Sequence, residues 1–337
     1  MKKTDLRHFF SYLSWVFNLR LQIKYSDQKL IFPFYHAIVK DQPPHLKHLY
    51  PLKSIDEFVR DLEKLLRFYR PVSPEYLLQD RERHEKPGFI LSFDDGLREI
   101  YDIVAPILEK KGISAIFFLN NSFIDNRAIF YRYKVSLFID RLLNANISHS
   151  RLSKMGELLS LKNANNGRVK KQLLGMGYAD TSLMDAIGDI LEVDSRNYLE
   201  NNKPYMTTEQ ILDLKDRGFF FGGHGFDHQE FALMDPGKQE MEIVRSVSDI
   251  RKRFDLNYSF FAFPFSDHGV SRKLIEKLLL ECVAPVDALF GTGGFGSTGK
   301  LSHFQRLSME KYQGDSERIL KTEYLYYFLK KNLWKNA

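Results

Sequence analysis

An α/β architecture, an incomplete (β/α) barrel of the TIM type carrying a helical insertion, is what this sequence predicts. Three observations carry that expectation. Short apolar runs of strand character alternate with amphipathic helices, and a strand, a helix and a second strand follow one another between Phe89 and Leu119, a βαβ unit that requires a parallel sheet. Polar residues with chemical potential follow the apolar runs directly, as in barrels whose chemistry sits at the carboxyl ends of the strands. From about residue 130 to residue 204 strand character disappears and helical spacing takes over.

The elements follow in order. Residues 1–29 predict an amphipathic helix: Phe9, Phe10, Leu13, Trp15 and Val16 are followed by Leu19, Leu21 and Ile23, with Arg7, Arg20 and Lys24 between them. Residues 30–310 form the barrel. Leu30 to Tyr35 is a short strand ending at His36, and Ser54 caps an amphipathic helix over Ile55 to Phe68. Phe89 to Phe93 is the second core strand. Arg98 to Lys111 is a helix closed by Gly112, and Ala115 to Leu119 is an apolar strand. The insertion reads as helices with polar joints such as Asn163 to Gly167. Thr207 to Arg217 is a helix stopped by Gly218, and Phe219 to Phe221 is a strand. A helix over Pro236 to Phe254, a strand over Ser259 to Pro264, a helix over Ser271 to Leu280 and a weak strand over Val283 to Val286 follow. Residues 311–337 supply a C-terminal helix, Tyr- and Phe-rich from Ile319 to Trp334.

Composition excludes several classes of function. Apolar residues make up 44% of the chain and include 28 Phe and 17 Tyr, enough for a large core, so the chain is globular. A net charge of +6 is spread along the chain without a basic run interleaved with aromatics, which argues against nucleic acid as a partner. The single cysteine, Cys282, rules out an intramolecular disulfide framework and a cysteine zinc cluster, and its apolar surroundings predict a packed thiol. The apolar N-terminal run is too short to span a bilayer and lacks a small-residue cleavage site. It is expected to dock on the domain or to lie on a membrane surface through residues 5–24.

The chemistry concentrates in two places. Ser92-Phe93-Asp94-Asp95-Gly96 ends a buried strand in two adjacent carboxylates, whose mutual repulsion and desolvation demand a cation or donors nearby. Gly222-Gly223-His224-Gly225-Phe226-Asp227-His228 brings two imidazoles four residues apart, on a helical turn or a glycine-eased loop. A catalytic divalent site uses three protein ligands and keeps one position open, and Asp95, His224 and His228 meet that count. Asp94 is then left as a general base on water. Zn2+ is the expected ion, with Co2+, Ni2+ and Mn2+ as alternatives.

Ser-Phe-Asp-Asp-Gly at 92–96, His-Gly-Phe-Asp-His at 224–228 and Phe-Ala-Phe-Pro-Phe-Ser at 261–266 resemble the first three motifs of the polysaccharide deacetylase family, carbohydrate esterase family 4. The resemblance covers about residues 30–125 and 205–310. It implies a distorted, incomplete (β/α) barrel that removes N- or O-acetyl groups from a glycan with a divalent metal. Asp94 would be the base, Asp95, His224 and His228 the ligands, and Pro264 with Phe265 the lining of the substrate groove. The arginine that many members carry two residues before the motif-three proline is Ala262 here, and Arg306 is the candidate substitute. No Leu-x-His motif supplies the general acid. Phe34-Tyr35-His36-Ala37 instead resembles the opening of the poly-N-acetylglucosamine deacetylase branch, which makes His36 the candidate acid, ahead of His303 and His268. The implied substrate is an acetylated carbohydrate or glycolipid. The expected location is the cytoplasm or the inner-membrane surface, with export through an uncleaved N-terminal segment as the alternative. Hydrolysis of another non-peptide C–N bond, or glycan binding without catalysis, would use the same residues.

Overall fold

The structure, a computed structural model, describes residues 7, 10–79, 86–280, 286–296, 301–310 and 315–333. Eight short strands, all paired in parallel, build the central sheet. They are β1 (Pro33–Tyr35), β2 (Leu91–Phe93), β3 (Ala115–Leu119), β4 (Phe220–Gly223), β5 (Phe260–Ala262), β6 (Ala288–Gly291), β7 (His303–Gln305) and β8 (Leu307–Ser308). Neighbours in sequence are neighbours in space from β1 to β7. β7 and β8 are one extended run interrupted at Arg306. β7 pairs with β6, while β8 pairs with β1 in the register Leu307 to Pro33 and Ser308 to Phe34. That bend closes the circuit with seven stations instead of eight, a distorted and incomplete TIM-like barrel.

The strands are shorter than their apolar runs suggest. Leu30–Ile31 and Gly88–Phe89 break away at Phe32 and Ile90 to form a separate three-stranded parallel sheet with Arg70–Pro71. Hydropathy continues across each break, so pattern alone reads one strand where there are two. The strand expected at Val283 to Val286 lies almost wholly outside the described residues, as does Cys282, and the observed strand β6 starts two residues beyond it. The helix between β2 and β3 starts at Arg98, is π-wound over Ile100–Val104, continues as α-helix over Ala105–Lys110, and ends at Gly112 with φ +64°.

Inside the barrel, Phe118 and Phe290 (5.2 Å between centroids) and Phe290 and Phe304 (5.6 Å) fill the axis. The lumen is narrow enough that a Cβ on Gly222 would sit 2.7 Å from both the Phe118 ring and the Phe260 carbonyl oxygen, which is why β4 carries a glycine there. Ser54 closes a capping box with Glu57 at the start of the Ile55–Phe68 helix.

Residues 130–204 contribute five α-helices, Tyr131–Asn144, His149–Leu158, Asn166–Leu174, Thr181–Leu191 and Ser195–Asn202. They bury a second core around Phe138, Leu142, Met155, Leu173, Met184 and Ile187. The first of these helices reaches the mouth of the barrel. The N-terminal helix is broken at Phe17–Asn18, where Asn18 caps Leu19–Tyr25. Leu19, Gln22 and Ile23 face the C-terminal helix Ser316–Leu333, and Gln22 Nε2 donates to Lys321 O at 3.2 Å.

Candidate active site

Every candidate group except His268 and His303 gathers at the carboxyl end of the barrel, one to five residues past a strand or within the β7–β8 bend. Strand alternation puts Ser92 and Asp94 on the inner face. Asp95 then turns the chain with φ +72° and Gly96 continues it with φ +64°. A side chain on Gly96 would also bring a Cβ to 3.0 Å from Leu119 Cδ2, so this turn admits little but glycine.

Asp94 is buried and held by a bidentate ion pair. Arg306 Nη1 donates to Oδ1 at 2.6 Å and Nη2 to Oδ2 at 2.9 Å. The guanidinium is itself fully buried, donates to Ser92 Oγ at 3.2 Å, and lies 4.4 Å above the Phe34 ring. Burial pushes the Asp94 carboxyl up, but Arg306, His224 and His36 outweigh it and hold it below the ordinary carboxylate value. Ala262, at the position where the family resemblance expected an arginine, is buried on β5. Its carbonyl oxygen accepts from His224 Nδ1 at 2.8 Å.

That hydrogen bond leaves His224 Nε2 unprotonated and facing Asp95. Burial and the neighbouring His228 push the His224 pKa down to about 4, against the pull of Asp94 and Asp95, so the ring is neutral near pH 7. His228 follows a loop, not a helix: Gly225 has φ +75° and His228 itself φ +53°. Asp95 Oδ1 lies 3.7 Å from His224 Nε2 and 3.3 Å from His228 Nε2, and all three donor atoms fall within 4.8 Å of one another. Tetrahedral ligands at about 2.0–2.1 Å from a common ion stand roughly 3.3 Å apart, close to the two separations from Asp95. Asp95 Oδ1 is buried and has no hydrogen-bond donor on it, whereas Oδ2 accepts from Tyr133 Oη at 2.7 Å. A buried bare acceptor facing two imidazole nitrogens fits a cation and little else. The residues therefore suit a divalent ion.

His36 stands across the cavity. Its Nδ1 meets Glu310 Oε2 at 2.5 Å, and Glu310 Oε1 accepts from the backbone N–H of His36 (3.0 Å) and Ala37 (3.3 Å). Burial alone would lower the His36 pKa, but Glu310, with Asp95 and Asp94, raises it to about 9. The other two histidines stand apart: His303 Nε2 is engaged by Asp267 Oδ2 at 3.0 Å, and His268 is exposed.

A cavity of about 400 Å3 opens over these groups. Phe265, with φ +57°, lines it and packs edge-on against His228 at 4.7 Å. Pro264 is buried behind the wall, within 3.4 Å of where a Cβ on Gly225 would lie. The insertion adds Phe130 and Arg132, and Leu49, Tyr50 and Pro51 form the opposite lip. Sequence reasoning missed Glu310, Tyr133, Phe130 and Arg132. Glu310 was detectable by the rule that found Asp94, since it is a carboxylate two residues past an apolar strand. Tyr133 was not, because nothing local ties a tyrosine in the insertion to Asp95.

Three comparisons bear on this arrangement. The model of a family described as polysaccharide deacetylase matches residues 81–281. Among solved structures, the fold is similar to the Streptococcus pyogenes deacetylase PplD in complex with acetate (TM-score 0.54, 16% identity, 88% of this chain and 98% of that one). It is also similar to IcaB from Ammonifex degensii (TM-score 0.52, 14% identity, 88% and 97%) and to the putative polysaccharide deacetylase BA0330 from Bacillus anthracis (TM-score 0.52, 12% identity, 88% and 69%). No curated protein matches the chain.

Proposed function

The chain belongs to the polysaccharide deacetylase family, a carbohydrate deacetylase by that membership, and on this premise we propose that it hydrolyses the N-acetyl group of an amino sugar in a metal-dependent reaction. The observation that carries the reading is the pairing of a locked carboxylate, Asp94 on Arg306, with the cluster of Asp95, His224 and His228 at the floor of one cavity. A divalent cation on Asp95 Oδ1, His224 Nε2 and His228 Nε2, Zn2+ by the chemistry of two imidazoles and one carboxylate, would polarise the acyl oxygen and acidify a water. Asp94, kept anionic and aimed by Arg306, takes the proton from the attacking water as the new C–O bond forms. His36 carries a proton taken from solvent and held by its contact with Glu310. It delivers that proton to the nitrogen as the C–N bond breaks, so acetate and a free amine leave. The acetylated substrate is a carbohydrate or a glycolipid.

The test is acetate release from N-acetylglucosamine oligomers and from an acetylated glycolipid, with metal content measured in the same samples. Asp94→Asn is expected to retain the ion and lose turnover by about a thousandfold or more. Ordinary turnover in that variant would sink the assignment, and no acetate from either substrate together with ring-opened acid from a small cyclic amide assayed alongside would replace it with another C–N hydrolase.

A membrane surface is the proposed setting. The N-terminal segment leaves Trp15 (80%), Tyr12 (72%) and Tyr25 (70%) exposed beside Val16, Phe17 and Leu21, with Arg20 and Lys24 among them. Aromatic rings interleaved with cations suit the interface of an anionic bilayer, and no helix among the described residues is long and apolar enough to cross one. Co-flotation with phosphatidylglycerol vesicles, weakened in Trp15→Ser, is the expected result; no flotation, or none of that weakening, would refute it.

A further inference from the structure

Charges in the catalytic cavity are matched with one exception. Three carboxylates line it, and each has a counterpart: Asp94 pairs with Arg306, Glu310 with His36, and Asp95 belongs to the cluster that would hold the cation. Arg132 also lines the cavity and has no carboxylate within ion-pair distance among the described residues. Its guanidinium rests 5.8 Å from the centre of the Phe265 ring, the ring that also packs on His228, so this cation stands one side chain away from the cluster.

The position is an awkward one for a cation. Arg132 is the second residue of the Tyr131–Asn144 helix, whose first turn contains no acidic residue. Helix N-termini carry positive potential and disfavour a basic side chain. A half-buried arginine placed there without a carboxylate partner weakens its own helix, and such local conflicts cluster where a ligand resolves them. The remaining wall around it, Phe130, Phe265, Leu49 and Pro51, is apolar and raises the strength of any ion pair formed.

We propose that Arg132 is a specificity residue that binds an anionic substituent, a carboxylate or a phosphate, carried by the substrate close to the acetamido group. The inference rests on the deacetylase reading and narrows it to acidic or phosphorylated amino sugars over neutral polymer. Arginine suits this role because its planar fork matches both oxyanions.

The experiment compares three acetylated substrates of similar size: a neutral N-acetylglucosamine oligomer, an oligomer bearing a carboxylate on the acetylated or adjacent ring, and an N-acetylglucosaminyl phosphate. Wild-type protein is expected to prefer a charged substrate about tenfold or more in kcat/KM, and Arg132→Gln to erase that preference, with Arg132→Lys keeping part of it. Whichever charged arm shows the effect identifies the oxyanion. In parallel, calorimetric binding of the same compounds to Asp94→Asn protein reads the preference without turnover. Equal binding of neutral and charged sugars by the Arg132 form, or a charge preference surviving in Arg132→Gln, overturns the inference. Charge-selective binding with no acetate released from any substrate by the otherwise wild-type protein would overturn the deacetylase reading and leave the role of Arg132 standing.

Discussion

Replacing Glu310 by Gln removes one charge from the site and little else, since the amide oxygen can still accept the backbone N–H groups of His36 and Ala37. The loss falls on His36. Its pKa stands at about 9 because Glu310 at 2.5 Å overcomes the burial that would lower it. Without that carboxylate only Asp94 and Asp95 remain to oppose burial, and the pKa should fall towards the ordinary histidine value of about 6.5. At pH 8 the protonated fraction drops from about nine-tenths to about 3%, a loss of roughly thirtyfold in the competent acid. The alkaline limb of the kcat/KM profile, which reports the free enzyme, should therefore move down by about two units or more. A bound dication depresses both proteins alike, so the displacement between profiles is the readout, and an NMR titration of His36 in metal-free protein checks it directly. Stability follows the same sign. A raised histidine pKa means that the ion pair contributes fully below pH 6.5 and is lost as pH rises through about 9, so wild type and variant converge in Tm above that point. Superimposable pH–rate profiles for the two proteins would refute the assignment of His36 as the acid.

Four further outcomes follow from the geometry. Tyr133→Phe deletes the hydroxyl on Asp95 Oδ2 and keeps the ring, so metal affinity measured by chelator competition should fall about 10- to 100-fold with little change in Tm; unchanged affinity would mean that Oδ2 needs no support. Arg306→Lys keeps the charge but replaces the two-pronged contact by a single ammonium, which should cost about 100-fold in kcat while metal stays bound. Arg306→Leu leaves Asp94 buried and unpaired, and calorimetric stability should drop by about 3–5 kcal/mol. Gly96→Ala must adopt φ +64° with its Cβ at 3.0 Å from Leu119, and chemical denaturation should show a loss of about 1–3 kcal/mol.

What was legible in the sequence was whatever depends on local pattern. Strand-then-acid at Phe93-Asp94 and strand-then-histidine at Gly223-His224 are encoded within a few residues, because the barrel puts the residue after each strand at the same rim. Helix boundaries came within one or two residues where a cap marks them, as at Ser54 and at Thr207. Strand boundaries were poorer, because the breaks at Phe32 and Ile90 occur inside unbroken apolar runs and depend on which neighbour each backbone group finds across the barrel. Contacts between segments distant in sequence were the least legible. Tyr133 reaches Asp95 from the insertion, and Glu310 reaches His36 across 274 positions. Resemblance supplied His36 and Arg306 only as candidates; tertiary geometry shows what each one touches.

Arg306 joins two properties that the sequence presents separately. It occupies the bend between β7 and β8, where its N–H donates to Gly291 O on one side while the next residue, Leu307, donates to Phe32 O on the other. The residue that closes the barrel is thus the residue whose side chain crosses the lumen to hold Asp94. An arginine placed on β5, at Ala262, would support the same carboxylate without any part in closure. With the arginine on the closing strand, Asp94 can be correctly held only when the last strand is seated against both β6 and β1. A cut or loosened closing strand should then abolish turnover while Asp95, which follows β2, and His224 and His228, which follow β4, still bind metal. Loss of activity with metal retained, in protein whose closing strand is weakened by Phe304→Ala, is the expected pattern; parallel loss of both would show that the rim folds as one unit and that closure has no separate hold on the base.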